Sequence, residues 1–175
     1  MITDNLKKFL LERNENSDLN FTKLVEMLEN SKYEFIGVRL RGAMGLATYR
    51  KAYFDMDRMD EEDNELIFFV ILHEYCHVLK IDRMGKAEMI SQLSAEKFED
   101  FFDHIIGEEI VADRFGSHYY YRFNKRKYPK YRTQQLNEEW SREEYKGKIS
   151  DIHGQITDEE SYDKLMNYFI VDELG

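Results

Sequence analysis

Two histidines and a glutamate stand together in His73-Glu74-Tyr75-Cys76-His77, the pattern H-E-x-x-H. On an α-helix, residues i and i+4 lie one above the other, so both imidazoles can reach one metal ion. Glu74 falls about 100° further round the axis, at 3.6 residues per turn, and can address a water on that ion without being a ligand. Two ligands beside one general base is the arrangement of metal-assisted hydrolysis. A buried helix with two hydrogen-bonded histidines is the plain alternative. It leaves Glu74 without a purpose, and burying two histidines and a carboxylate is costly unless something compensates them.

The flanks place this pentapeptide in an interior. An apolar run, Leu66 to Leu72, precedes it, and Val78 and Leu79 follow. A helix apolar nearly all round is one enclosed by other elements. Catalytic zinc ordinarily has three protein ligands and an open fourth position. A third histidine six residues after His77 would complete one known pattern, but Arg83 stands there and Lys80 replaces the glycine that pattern needs. The other common solution is a glutamate on a later helix, for which Glu108 and Glu109 compete. Measured from Glu109, Asp113 and Gly116 share one helical face with Ala112 close by, and from Glu108 that alignment is lost. Ala112 and Gly116 would let the second helix come close to the first, while Asp113 hydrogen-bonds a ligand histidine. The expected site is therefore one zinc ion on His73, His77 and Glu109, with Glu74 as base and Asp113 orienting His73 or His77.

The HEYCH pentapeptide followed by Glu109-x-x-Ala112-Asp113-x-Phe115 resembles the gluzincin metallopeptidases, and most of all the short ImmA/IrrE-type proteins, across about Ala47 to Tyr121. The resemblance implies a compact zincin-like core with a small sheet, an edge strand above the cleft, an active-site helix and a glutamate helix. It also implies that Asp113 steadies the first histidine, His73. Asp113 replaces an asparagine common in those proteins, SHYYYRF stands where they often carry Leu-Met-Pro, and no helix-turn-helix segment accompanies the motifs.

The elements that must position these residues follow from periodicity. Ile2, Leu6, Phe9 and Leu10 mark a first helix to about Leu11, and Phe21, Leu24, Val25 and Leu28 mark a second after Asn20, a good N-cap. Tyr33 to Leu40 and Leu46 to Met56 read as strands of a small antiparallel sheet joined by a turn at Arg41-Gly42-Ala43-Met44-Gly45, with Ala47 to Asp55 the last strand. An exposed last strand beside the metal helix would let a peptide add itself to the sheet. The acidic stretch Asp55 to Glu65 suits helix starts. Ser94 reads as the N-cap of a helix carrying Phe98, Phe101, Phe102 and Ile105, with a break at Gly107. Beyond Pro129 the chain is polar, with helices expected around Thr133 to Lys146 and Asp158 to Leu174 and a loop at Asp151-Ile152-His153-Gly154. The expectation is an α+β fold, mainly helical: a core over residues 1–129 and an extension over residues 130–175 packed on the same domain. His118, Tyr119, Tyr120 and His153 are the candidate donors to a transition-state oxyanion. His104 and Cys76 read as structural.

Composition narrows the partners. The net charge of −10 over 175 residues argues against nucleic acid, whose phosphates demand basic patches. The basic run from Arg122 to Arg132 is the one local exception and reads as a solvated linker. A single cysteine allows no internal disulfide. LIFFVIL is too short for a membrane span and the first residues lack a secretory pattern, so a cytoplasmic, non-membrane protein is expected. The function expected is a zinc-dependent endopeptidase acting on a peptide or protein substrate. The rivals are a catalytically inactive zincin-fold binding or regulatory protein, a purely structural zinc site and, last, an oligonucleotide-associated protease.

Overall fold

The computed structural model describes residues 1–129 and 142–173. Its axis is helix α4 (Asn64–Met84), in which every residue from Ile67 to Glu74 is buried. Asp63 starts it by accepting a hydrogen bond from Leu66 N, and Gly85, at φ 90°, ends it in a conformation that suits glycine. A helix so apolar has to be wrapped on several sides. Around it lie α1 (Asp4–Glu15) and α2 (Phe21–Asn30), the long helix α6 (Phe98–Asn124), and a small sheet. Leu6 and Leu10 of α1 and Phe21, Leu24, Val25 and Leu28 of α2 enter the same core, and Asn20 caps α2 by accepting from Lys23 N. The fold is α+β and mainly helical, as expected.

The sheet differs from expectation. It contains β1 (Glu34–Leu40), β2 (Gly45–Thr48), β3 (Lys51–Asp55) and β4 (Ile170–Glu173) in the order β2-β3-β1-β4. β1 and β3 run parallel, while β2 with β3 and β4 with β1 run antiparallel, so the sheet is mixed. The segment read as one strand from Ala47 to Asp55 is a tight hairpin, turning at Tyr49-Arg50 with Arg50 at φ 64°. Neither residue is a usual turn former, which hid the break. Asp82, near the end of α4, holds Arg50 in place: Arg50 Nε donates to Asp82 Oδ1 at 2.9 Å, and Lys32 Nζ (2.8 Å) and the Tyr33 hydroxyl (2.9 Å) donate to Oδ2. β2, reached by the chain crossing over from β1, is one edge strand of the described sheet and β4 is the other.

Asp55 shows why the acidic stretch follows the sheet. Its buried carboxylate accepts from Leu40 N and Arg58 N, both at 2.9 Å, so it ties β1 to β3 and caps α3 (Met56–Asp60). Three further expectations need correction. Ser94 terminates α5 (Lys86–Leu93), its hydroxyl donating to Ile90 O at 2.7 Å, and α6 begins only at Phe98. Gly107 does not break α6, because nothing crowds it and the cost of about 1 kcal/mol for a helical glycine is small beside the packing on both sides. In the last segment, residues 133–141 lie outside the described residues, α7 (Arg142–Ile152) runs past Lys146 into the expected loop, and α8 (Glu159–Phe169) stops short of Leu174. The chain there becomes β4, because the open edge of β1 offers backbone partners that a helix would leave unmet.

Lys32, then Arg50 and Tyr33, hold the Asp82 carboxyl well below the usual carboxylate range. A carboxyl with a lower pKa folded than unfolded contributes stability above its unfolded pKa and loses it as pH falls through the folded value. Asp82→Asn is expected to lower the urea midpoint at pH 7, with the gap to the parent closing as pH drops below about 4. A gap that persists unchanged at pH 2 would show that the ion pairs are not its source.

Candidate metal centre

α6 approaches α4 closely because two of its contact positions are small. Ala112 is fully buried, and a Cβ on Gly116 would stand 2.9 Å from Phe69 Cε2. Phe69 cannot yield easily, being stacked on Tyr128 with ring centroids 4.2 Å apart. Glu109 lies seven residues before Gly116, two turns along the same face, and meets the α4 histidines.

Three ligating groups converge there. His73 Nε2 lies 3.1 Å from His77 Nε2 and 3.0 Å from Glu109 Oε2, and His77 Nε2 lies 3.1 Å from Glu109 Oε1. On the far side of the ring, His73 Nδ1 is 2.8 Å from Asp113 Oδ1. That contact is close but poorly aligned, and both Asp113 oxygens lack a well-formed hydrogen bond although the residue is 0% exposed. With a proton on Nδ1 toward Asp113, neutral His73 turns its Nε2 lone pair toward the Glu109 carboxylate, acceptor against acceptor. A cation between them resolves the conflict. Nitrogen and oxygen ligands about 2.05 Å from a tetrahedral ion stand about 3.3 Å apart, close to the spacing observed. His73, His77 and Glu109 can therefore bind a metal ion.

Without a cation, a proton on the histidines takes its place. Burial opposes charge on His73 most strongly, but Asp113, Glu109 and Glu74 outweigh it and carry the imidazole up to about 10. Burial likewise works to raise Glu109, yet His73 and His77 hold its carboxyl well below the ordinary range. Glu74 and Asp113 are both raised, chiefly by burial. Three carboxyl groups thus face two imidazoles, and a divalent ion could balance them in place of those protons.

Glu74 stands outside the ligand set. It is 9% exposed and lies under β2, where a Cβ on Gly45 would come within 2.6 Å of its Cγ. Glu108, the other candidate ligand, turns away to pair with Lys80 Nζ at 2.8 Å. The four candidate oxyanion donors are not brought to the site. His118 is exposed with its ring against Tyr119, and Tyr119 packs on Phe115. Tyr120 is buried in the core, its hydroxyl accepting from Arg126 Nε. His153 lies 3.3 Å from Ala95 O, between Phe98 and Phe101. Helical phase explains the first three: residues nine to eleven after Glu109 have rotated off its face or moved a full core depth away.

Two neighbours of the site were not singled out from the sequence. Gly45 read only as a turn residue, and Tyr145 of α7 sat in a polar extension where the spacing of Tyr145, Ile149 and Ile152 was its sole signal. The basic run has a structural use up to Arg126, which binds Asp18, Glu65 and Tyr120 and so ties the end of α6 to the start of α4. Among the described residues, no helix is long and apolar enough to cross a membrane. No protein-family model, curated protein or solved structure matches the chain.

In competition with a calibrated chelator, His77→Ala and Glu109→Ala should each weaken metal binding by more than about 100-fold. Asp113→Asn should cost about 10–100-fold, as expected for a partner behind a ligand. Glu108→Gln should change it little, and equal losses for Glu108→Gln and Glu109→Ala would overturn the assignment.

Proposed function

We propose that this chain is a zinc-dependent endopeptidase with a zincin-like core of the gluzincin kind, in which His73, His77 and Glu109 would hold one zinc ion. The observation that carries this reading is the convergence of two histidine nitrogens and a carboxylate on one buried point, with a second carboxylate, Glu74, beside them and pointing elsewhere. Zinc at such a site would bring the pKa of its water to about 7 and polarise a substrate carbonyl.

The protein's own groups do the rest. Glu74 takes the proton of the attacking water and returns it to the leaving amine. Burial raises its carboxyl and the two histidines oppose that rise. Asp113 fixes the ring of His73 and increases its basicity. The outer edge of β2 would supply the substrate's place: an extended peptide pairing with it would lie near Glu74, since a Cβ on Gly45 at the start of that strand would meet the glutamate. A peptide or protein substrate follows from that pairing.

The burial of Glu74 beneath Gly45 favours a second reading, a binding or regulatory protein on the same scaffold that does not turn over peptides. Cleavage of a mixed peptide library, abolished by chelator and restored by zinc, separates the two. Glu74→Gln should retain the metal and lose at least about 100-fold in cleavage. Cleavage undiminished in that variant would refute the mechanism.

A further inference from the structure

The geometry points to Tyr145 as the hydrogen-bond donor that stabilises the carbonyl oxygen as it gains negative charge. This rests on the peptidase reading of the site and adds the one group that reading lacks.

Helix α7 lies antiparallel along α6. His153, just past its end, packs on Phe98 and Phe101 at the start of α6, while Tyr145, in its first turns, packs on Phe102, with ring centroids 6.3 Å apart. The start of α7 therefore faces up α6 in the direction of Glu109. Phe102 and Glu109 are seven residues apart, on one face of α6 with Ile105 and Ile106 between them. Ile149, one turn beyond Tyr145, is buried with Phe101 and Phe102 and fixes the rotation of α7, so the phenol lies on the face turned toward α6.

The phenol is half-buried, and its hydroxyl makes no hydrogen bond to a described residue. The charges around it are the carboxylates of Glu109, Glu74 and Asp113, the same three that surround the histidines. Burial first, then those carboxylates, raise the phenol well above its ordinary pKa, so it keeps its proton and is available as a donor. A protonated phenol packed on Phe102, two helical turns along α6 from Glu109, and without a hydrogen bond to a described residue, is placed to bond an oxygen that becomes negative only during reaction. His118, Tyr119, Tyr120 and His153 are all engaged elsewhere, which leaves Tyr145 the described side chain that fits this role.

Tyr145→Phe removes the hydroxyl and keeps the ring packed on Phe102. In the zinc-loaded full chain it should leave metal stoichiometry and KM nearly unchanged and lower kcat by about 100-fold, the loss typical of one oxyanion donor. Independently of turnover, the zinc-dependent affinity for acetohydroxamate, measured by calorimetry, should fall about tenfold. Tyr145→His, which keeps an N–H donor, should recover part of both. Unchanged kcat and hydroxamate affinity in Tyr145→Phe would overturn the proposal. So would faster cleavage, which would mean that the phenol blocks the site. If the parent cleaves no peptide yet Tyr145→Phe still loses hydroxamate affinity, the donor role stands and the peptidase reading fails.

Discussion

The position occupied by Phe69, where a side chain on Gly116 would otherwise be, sets how close α6 can come to α4, and the metal centre depends on that distance. Two helices carrying ordinary side chains at their contact pack about 8–10 Å apart, with the spacing set by those side chains. Gly116 and Ala112 remove that spacer on α6, while the stacked pair Phe69 and Tyr128 forms a rigid wall on the other side. Glu109, two turns away on the same face, then meets both imidazoles with its two oxygens. Arg126 at one end of α6, and the Lys80 to Glu108 pair beside the site, prevent the helix from rolling so as to offer the wrong glutamate.

The same closeness carries an electrostatic cost. Asp113 is wholly buried without a well-aligned partner, and Glu74 is nearly so. Buried charges that lack full compensation destabilise a fold by several kcal/mol. The protein accepts this between α4 and α6, where a divalent ion would relieve it, and avoids it elsewhere: Asp55 is also buried, but each of its oxygens has a backbone N–H. The two buried aspartates thus differ in that one is satisfied by the backbone and the other faces the candidate ligand His73.

The sheet serves the site at its edge. β4 covers the open side of β1, and β2, the strand lying over Glu74, is the edge on the opposite side of the described sheet. The segment that supplies β4 also supplies α7, and with it Tyr145 packed on Phe102 of α6.

What could be read from the sequence was what is settled within a turn or two of helix. The i, i+4 spacing of His73 and His77, the shared face of Glu109, Asp113 and Gly116, and the cap at Asn20 all depend on hydrogen bonds and side-chain directions that repeat locally. Periodicity also marked the core faces of α1 and α2. The parallel pairing of β1 with β3, the hairpin at Tyr49-Arg50 held by a distant Asp82, the conversion of residues 170–173 from expected helix to strand, and the approach of Tyr145 were decided only by the tertiary structure. In each of these the deciding partner lies far along the chain, a backbone edge or a charge that no local pattern announces, and its influence exists only once the helices have packed around α4.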